Sequence, residues 1–398
     1  MADLKVIHIN AHGKYSTGNI ATSVIKSVAN GSKLFHTCDA LDESISKRFY
    51  SKSEWMIDVG LTRIFGLDSI WSWNNTRKII RDLKREKPDI LHLHNLHGFY
   101  INYRALFKFI KKHNVKVVWT LHDCWSFTGH CSHFDFIGCD KWKTGCHNCS
   151  TYKKTYLKSW FFDRSKAGYK SKKKAFCGVE NMVITTPSEW LAGLVKQSFL
   201  KEYPVKVVNN GISTENFNIC ENVTFKDVIP NGKKVVLAVA SSWDEMKGYS
   251  DVVEISRKLS DDYIVVMVGV SEALKQRLSE ERIIAISKTE NQRGLAEIYS
   301  AAHVFINTTY QETFPTVNIE ALCCGCPIIT YATGGSVETV NDANGVVVPK
   351  GDVDAMLGAI YGIKDKEYNR QKMSEEAKKL YSKQKMIENY IKLYKELL

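Results

Sequence analysis

At 398 residues, with 44% apolar and 25% charged side chains, the chain is too long for one core and reads as two globular domains of about 150–200 residues each. No stretch approaches the roughly 18 uninterrupted apolar residues that a membrane span needs, and eleven cysteines behind the leaderless opening "MADLKVIHIN" read as cytosolic thiols or metal ligands, not as a disulfide framework. The net charge of +12 favours an anionic partner, which nucleotide, nucleic acid and anionic lipid all satisfy.

The first β-type run, "LKVIHIN", leads into "NAHGKYSTGNI", where Gly13 and Gly18 precede a helical pattern. This is not a G-x-G-x-x-G fingerprint, which argues against a dinucleotide. The next run, "PDILHLHN", places His92 and His94 on one face by the period of two, with Asn95 and His97 in the following loop. Histidines at a carboxyl strand end serve either acceptor binding or the core; His-x-His also fits a metal, but no nearby carboxylate completes a set. "VKVVWTLHD" then closes on His122 and Asp123.

The loop 124–150 carries Cys131, Cys139, Cys146 and Cys149 in a C-x7-C-x6-C-x2-C spacing. The final C-x2-C is the chelating pair of a structural zinc site, and Gly138 and Gly145 allow turns that aim sulfurs inward. His130, His133 or His147 can replace one thiolate; free thiols, a redox pair and an iron–sulfur cluster are the alternatives. Residues 152–174 follow, with nine Lys or Arg against one Asp and with Tyr152, Tyr156, Trp160, Phe161, Phe162 and Tyr169 interleaved. Such a stretch is either a solvated basic helix with its aromatics inside or a surface for anionic lipid. No nucleic-acid module accompanies the charge, so nucleic acid is not expected as a partner.

"NMVITTPSEW" and "PVKVVNNG" complete the first half, and a boundary is expected near "NNGISTENF", residues 209–217. "KKVVLAVASS", "YIVVMVGV", "HVFINTT" and "CPIITYATGG" repeat the design. Continuous apolar strands alternating with helices imply two doubly wound parallel sheets, with ligands at the carboxyl ends of the strands. The tail is an amphipathic helix with Ile387, Tyr390, Ile391, Tyr394 and Leu397 on one face.

"ETFPTVNIEALCCGCP", residues 312–327, holds the most specific chemistry. Pro315 suits the first helical position, which leaves the amides of Thr316, Val317 and Asn318 to meet an anion. Glu312 precedes this helix and Glu320 sits inside it. A carboxylate grips neighbouring hydroxyls well, so two carboxylates around a phosphate-binding helix end describe a nucleotide-sugar site. Exposed surface glutamates are the plain alternative.

E-x7-E followed by Gly325 to Pro327 and by Gly334 to Glu338 resembles the C-terminal signature of family 4 glycosyltransferases. "TLHD", "TPSEW", "VNNGIS" and "MKG" extend the resemblance over nearly the whole chain, and "LHLHNLHGFYINY" with the cysteine loop narrows it to a subgroup similar to bacterial capsule and exopolysaccharide enzymes. The resemblance implies an α/β GT-B fold, two Rossmann-like domains facing each other across a cleft: an acceptor-side domain at 1–210, a donor domain at 211–380, and a helix at 381–398 packing back on the first.

It also implies roles. Glu320 would bind the donor ribose, Glu312 the donor sugar, and Lys247 the diphosphate, with Phe314, Thr316 and Val317 lining the donor and Gly18 approaching it from the other domain. His122 would lie near the reacting carbon, with His94, Asn95, His97 and Asp123 on the acceptor side. The family keeps the anomeric configuration by front-face attack, so neither a side-chain nucleophile nor a catalytic metal is expected. The implied partners are a UDP- or GDP-sugar, a glycan acceptor on a polyprenyl diphosphate and the inner, anionic face of the cell membrane. One departure stands out: the family's arginine five residues before the lysine is Ser242 here, for which Arg293 or Lys288 are candidate substitutes. A nucleotide-sugar epimerase of the same fold and a non-catalytic sugar-binding relative are the competing readings.

Overall fold

The computed structural model describes residues 4–28, 31–154, 157–221, 230 and 232–398; Tyr156 of the basic aromatic stretch lies outside them. The chain divides into two compact units, Met1–Asn209 with Ile387–Leu398, and Asn210–Met386.

The first unit runs β1 (Val6–Ile9), α1 (Tyr15–Ile25), β2 (Lys33–His36), β3 (Ser46–Arg48), α2 (Lys52–Phe65), α3 (Trp73–Glu86), β4 (Ile90–Leu93), α4 (Tyr103–His113), β5 (Val117–Thr120), α5 (Ser165–Phe176), β6 (Met182–Thr186), α6 (Glu189–Gln197) and β7 (Val205–Val207). Its strands pair in parallel in the order β3-β2-β1-β4-β5-β6-β7. The central strands "VIHI", "ILHL" and "VVWT" are buried at every position, because helices cover both faces and leave no wet side to alternate with. Short polar side chains start the helices: Ser188, the serine of "TPSEW", accepts the Leu191 amide ahead of α6, and Asn102 accepts that of Ala105 ahead of α4.

The second unit runs β8 (Lys234–Val239), α7 (Tyr249–Lys258), β9 (Tyr263–Val268), α8 (Glu272–Arg277), β10 (Ile283–Ile286), α9 (Gln292–Ala301), β11 (Val304–Asn307), α10 (Thr316–Cys323), β12 (Ile328–Tyr331), β13 (Gly345–Val348), α11 (Val353–Gly362) and α12 (Arg370–Tyr381). The sheet is again parallel, ordered β10-β9-β8-β11-β12-β13. Neighbouring residues of β11 feed opposite cores: Phe305 packs with Ile319 and Leu322 of α10, Ile306 with Val252 and Ile360 on the other face. Each such fully buried side chain stabilises by about 1.5–3 kcal/mol.

Four strands exceed those marked by apolar runs in the sequence: β2, β3, β10 and β13. Three of them are sheet edges, where burial is incomplete; β3 is polar, whereas β10 and β13 are short apolar runs. The tail helix is α13 (Lys383–Leu397), and only its part from Ile387 onward groups with the first unit. Its start is tied to the second, because the Lys383 amide donates to Ile212 O at 2.9 Å and the Ile212 amide to Tyr381 O at 3.0 Å. No helix among the described residues is long and apolar enough to cross a membrane.

In both sheets the crossovers change direction at one point, between β1 and β4 in the first and between β8 and β11 in the second. Loops diverge there and leave an opening at the carboxyl strand ends.

Candidate active site

After β8 the chain makes a single turn, Glu245–Lys247, in which Asp244 Oδ1 accepts the Lys247 amide at 3.0 Å. Gly248 follows at φ 70°, where an added Cβ would lie 2.3 Å from Thr308 O; glycine alone allows this close approach. Thr308 Oγ1 donates to Lys247 O at 3.0 Å, and the Tyr310 amide to Met246 O at 2.9 Å. The loops after β8 and β11 are thereby joined at the switch point, and Lys247 Nζ stands 3.3 Å from Glu312 Oε2. Glu312 Oε1 accepts the Thr313 amide at 3.0 Å.

Helix α10 begins at Thr316, so Pro315 is the extended residue before it (ψ 113°) and not the first helical one. Thr316 and Val317 keep part of their surface open, whereas Asn318 is buried and bonded to Asn307 and Thr339 at 2.8 and 2.9 Å. The Phe314 ring is 3% exposed and packs in the core near Tyr381, which leaves its backbone for a ligand. Glu320 accepts a hydrogen bond from the Tyr299 hydroxyl at 3.3 Å. Burial of the carboxyl group, only partly opposed by that bond, raises its pKa to about 7. Ser242, Lys288 and Arg293 are exposed, and among the described residues none forms a hydrogen bond or ion pair with Lys247 or Glu312.

In the first unit the switch point is filled by imidazoles. His8 and His92 are register partners on β1 and β4. His8 Nδ1 lies 3.0 Å from His94 Nε2, and His94 Nδ1 lies 3.1 Å from His122 Nε2. Burial lowers all four pKa values, that of His8 to about 3 and that of His122 to about 4, so these rings are neutral at physiological pH. His97 Nε2 is 2.8 Å from Asp123 Oδ2. Burial opposes ionisation of Asp123, but His97, with His133 and the Trp125 amide, outweighs it and holds the carboxyl at about 2. His94, Asn95, His97, His122 and Asp123 line one recess at the ends of β4 and β5. At Gly18 an added Cβ would meet Gly13 C at 2.6 Å and His12 O at 2.9 Å, so its bare backbone lets this loop pack closely on itself.

Within the cysteine loop the Gly129 amide meets Cys146 Sγ at 3.1 Å, and Gly129 lies so close to α5 that an added Cβ would come within 2.2 Å of Ser165 O. Cys131 is buried and Cys139, Cys146 and Cys149 are half-buried, all as free thiols. No three of their sulfurs come within ligand distance of one another; His8, His92 and His94 do, with ligand atoms within 4.8 Å. Burial raises the Cys131 thiol to about 12 and that of Cys146 to about 11. In the neighbouring basic stretch, Lys172 is buried, donates to Trp125 O at 2.8 Å and sits 3.8 Å from the Trp125 ring centre. Tyr169 is buried too, whereas Trp160, Phe161 and Phe162 are exposed.

Three partners escaped the sequence reading. His8 had a signal, a lone imidazole in an apolar strand. Tyr394 stood on the apolar face of the tail helix with no sign of its partner, and Tyr299 had no signal, since each meets its partner only through the fold.

Residues 33–216 match the family model described as Glycosyltransferase Family 4, and residues 221–380 that described as Glycosyl transferases group 1. The colanic acid biosynthesis glycosyl transferase WcaC of Escherichia coli (strain K12) is 24% identical over 310 residues, 75% of this chain and 73% of that protein. Among solved structures, a glycosyltransferase from Rickettsia africae aligns with a TM-score of 0.71 at 15% identity, over 100% of this chain and 99% of that one. Anabaena Alr3699/HepE in complex with UDP-glucose aligns with a TM-score of 0.69 at 13% identity, over 99% and 100%. At these identities the structural likeness speaks for a shared fold.

Proposed function

Since the chain belongs to the family 4 glycosyltransferases and has their GT-B fold, we propose that it moves a hexose from UDP or GDP to a glycan acceptor on a polyprenyl diphosphate, with retention, in capsule or exopolysaccharide synthesis. The observation that carries this reading is the Lys247–Glu312 pair beside α10 at a switch point, with Glu320 one and a half turns into that helix. Glu320 takes the ribose, Lys247 and the first amides of α10 take the diphosphate, and Glu312 takes hydroxyls of the sugar. As the anomeric carbon parts from the diphosphate oxygen, charge grows on the leaving group, and a fixed ammonium stabilises that state more than the ground state. The acceptor hydroxyl attacks on the same face and its proton departs with the diphosphate. His122, neutral, hydrogen-bonds a hydroxyl of the reacting sugar. The proposal assigns no side-chain nucleophile and no catalytic metal. UDP- and GDP-hexoses should release nucleoside diphosphate in the presence of a lipid-linked acceptor, and absence of release with every donor and acceptor overturns the reading.

The membrane side of the proposal rests on Trp160, Phe161 and Phe162, 53%, 63% and 47% exposed, with Trp160 beside Trp55 and Met56 of α2. Lys158, Arg63 and Arg164 lie among them, Arg164 over the Phe162 ring. Apolar rings rimmed by cations suit an anionic bilayer, where each basic group adds about 1 kcal/mol. Sedimentation with anionic vesicles should be lost in Trp160→Ser with Phe161→Ser and weakened by salt; unchanged sedimentation overturns this docking face. Lys172, being buried, has no part in it.

A further inference from the structure

The imidazoles of the first unit continue past His94. His8 Nε2 lies 3.4 Å from the Tyr394 hydroxyl of α13, which lies 2.6 Å from His92 Nδ1, and His92 Nε2 lies 2.7 Å from Thr120 Oγ1. The row therefore reads His122, His94, His8, Tyr394, His92, Thr120, with each link a single hydrogen bond. The rings of His8 and His94 are 17° from parallel with centres 5.2 Å apart, and those of His94 and His122 are 14° from parallel with centres 5.4 Å apart. These separations exceed the nitrogen distances by about two ring radii, so the rings meet edge to edge in line with their N–H bonds. His8, His92, His94 and Tyr394 are at most 1% exposed, and water does not offer them substitute partners.

A neutral imidazole has one donor and one acceptor. In an unbroken row each ring that receives a hydrogen at one nitrogen must give one at the other, so all the tautomers turn together or not at all. A buried link facing the wrong way leaves two lone pairs or two hydrogens opposed, which is costly in a dry interior. The direction follows from Tyr394. A phenol is the stronger acid, and its shorter contact is to His92 Nδ1, so its hydrogen goes there. Its oxygen then accepts from His8 Nε2, His8 Nδ1 accepts from His94 Nε2, and His94 Nδ1 accepts from His122 Nε2.

We infer that Tyr394, through His8 and His94, fixes His122 in the form that carries its hydrogen on Nε2 and none on Nδ1. Tyr394, His8 and His94 are positioning residues in this scheme. The consequence for transfer rests on the proposed role of His122: an Nδ1 acceptor takes the hydrogen of a sugar hydroxyl and gives none.

Nitrogen-15 spectra of histidine-labelled full-length protein, with the His122 signal identified by its loss in His122→Gln, test the inference without any assay of activity. His122 should be protonated at Nε2 and bare at Nδ1 in the unsubstituted protein. Tyr394→Phe, which removes one oxygen and keeps the ring, should shift His122 toward a mixture of both forms. Protonation of His122 at Nδ1 in the unsubstituted protein overturns the inference, and so does a His122 signal unaltered by Tyr394→Phe. Retention of one tightly bound metal per chain that His92→Gln releases also overturns it, since His8, His92 and His94 lie within ligand distance and a metal would replace the hydrogen bonds. Turnover is read separately: with the tautomer shifted, a several-fold fall in kcat at unchanged donor KM supports the role given to His122, and an unchanged kcat removes that role while the tautomer result stands.

Discussion

Lys247 and Glu312, 65 positions apart, meet as an ion pair of 3.3 Å with 35% and 20% of their side chains exposed. In the proposed reaction the diphosphate must draw Lys247 away from Glu312, which frees a carboxylate for the sugar at the same moment. Lys247→Ala should lower kcat on the order of 100-fold with a smaller change in donor KM, and Glu312→Ala should also act mainly on kcat. Steady-state kinetics with the identified donor measure both. A fully active Lys247→Ala variant places the diphosphate elsewhere.

If Glu320 takes the ribose as proposed, donor binding acquires a pH dependence with a definite sign. Its carboxyl is raised from 4.5 to about 7, and only the ionised form accepts two hydroxyl hydrogens from a ribose. Donor affinity should therefore fall below pH 7, approaching about tenfold per unit, and Glu320→Gln should flatten the curve at weak binding. Stability runs the other way. The folded state holds this proton more tightly than the unfolded one, so the contribution is present below about pH 4.5 and lost as pH rises through about 7. Glu320→Gln should accordingly raise the stability of ligand-free protein at pH 8, by up to roughly 3 kcal/mol. Calorimetric titration and thermal unfolding at pH 6 and 8 check the two arms.

Gly334 sits at φ 52° with the site of an added Cβ 1.7 Å from Glu312 O. Gly334→Ala should displace the Glu312 loop, lowering kcat by at least tenfold and Tm by several degrees, an effect of roughly 1–3 kcal/mol for a strained, crowded position. Wild-type turnover in that variant denies the loop its role in holding Glu312.

The cysteine loop is proposed to hold a structural zinc, supported by its C-x2-C pair and by the buried, unpartnered Nε2 of His130. The sulfurs must draw closer than the structure places them, so metal content is the decisive measurement. Protein purified without chelator should carry about one zinc per chain, lost in Cys146→Ser with Cys149→Ser together with protease resistance of residues 124–150. Metal-free protein with full activity and freely titrating thiols sinks the proposal.

Much of the fold was open to reading because buried parallel strands announce themselves. "VIHI", "ILHL" and "VVWT" are apolar on both faces, and each lies at the centre of a sheet. The edge β3, "SKR", has no such signature, whereas β10, "IIAI", and β13, "GVVV", are apolar but short and only partly buried. Lys247 and Glu312 were visible as motif residues, but their contact depends on Gly248 and Thr308 bringing two loops together. Lys172 looks like one more surface cation in a run of lysines; only the packing of α5 against Trp125 buries it. The link between His92 and Tyr394 spans 302 positions and leaves no local trace in the chain.

An ammonium that already holds a carboxylate is a poor trap for stray anions. Free phosphate approaching Lys247 would have to displace Glu312 and would bring no ribose for Glu320, so charge alone gains it little. A nucleotide sugar brings both, and its hydroxyls give the displaced carboxylate a new partner. Under the proposed reaction the pair acts as a filter: it holds the site against abundant small anions and reserves it for a ligand that engages both glutamates at once.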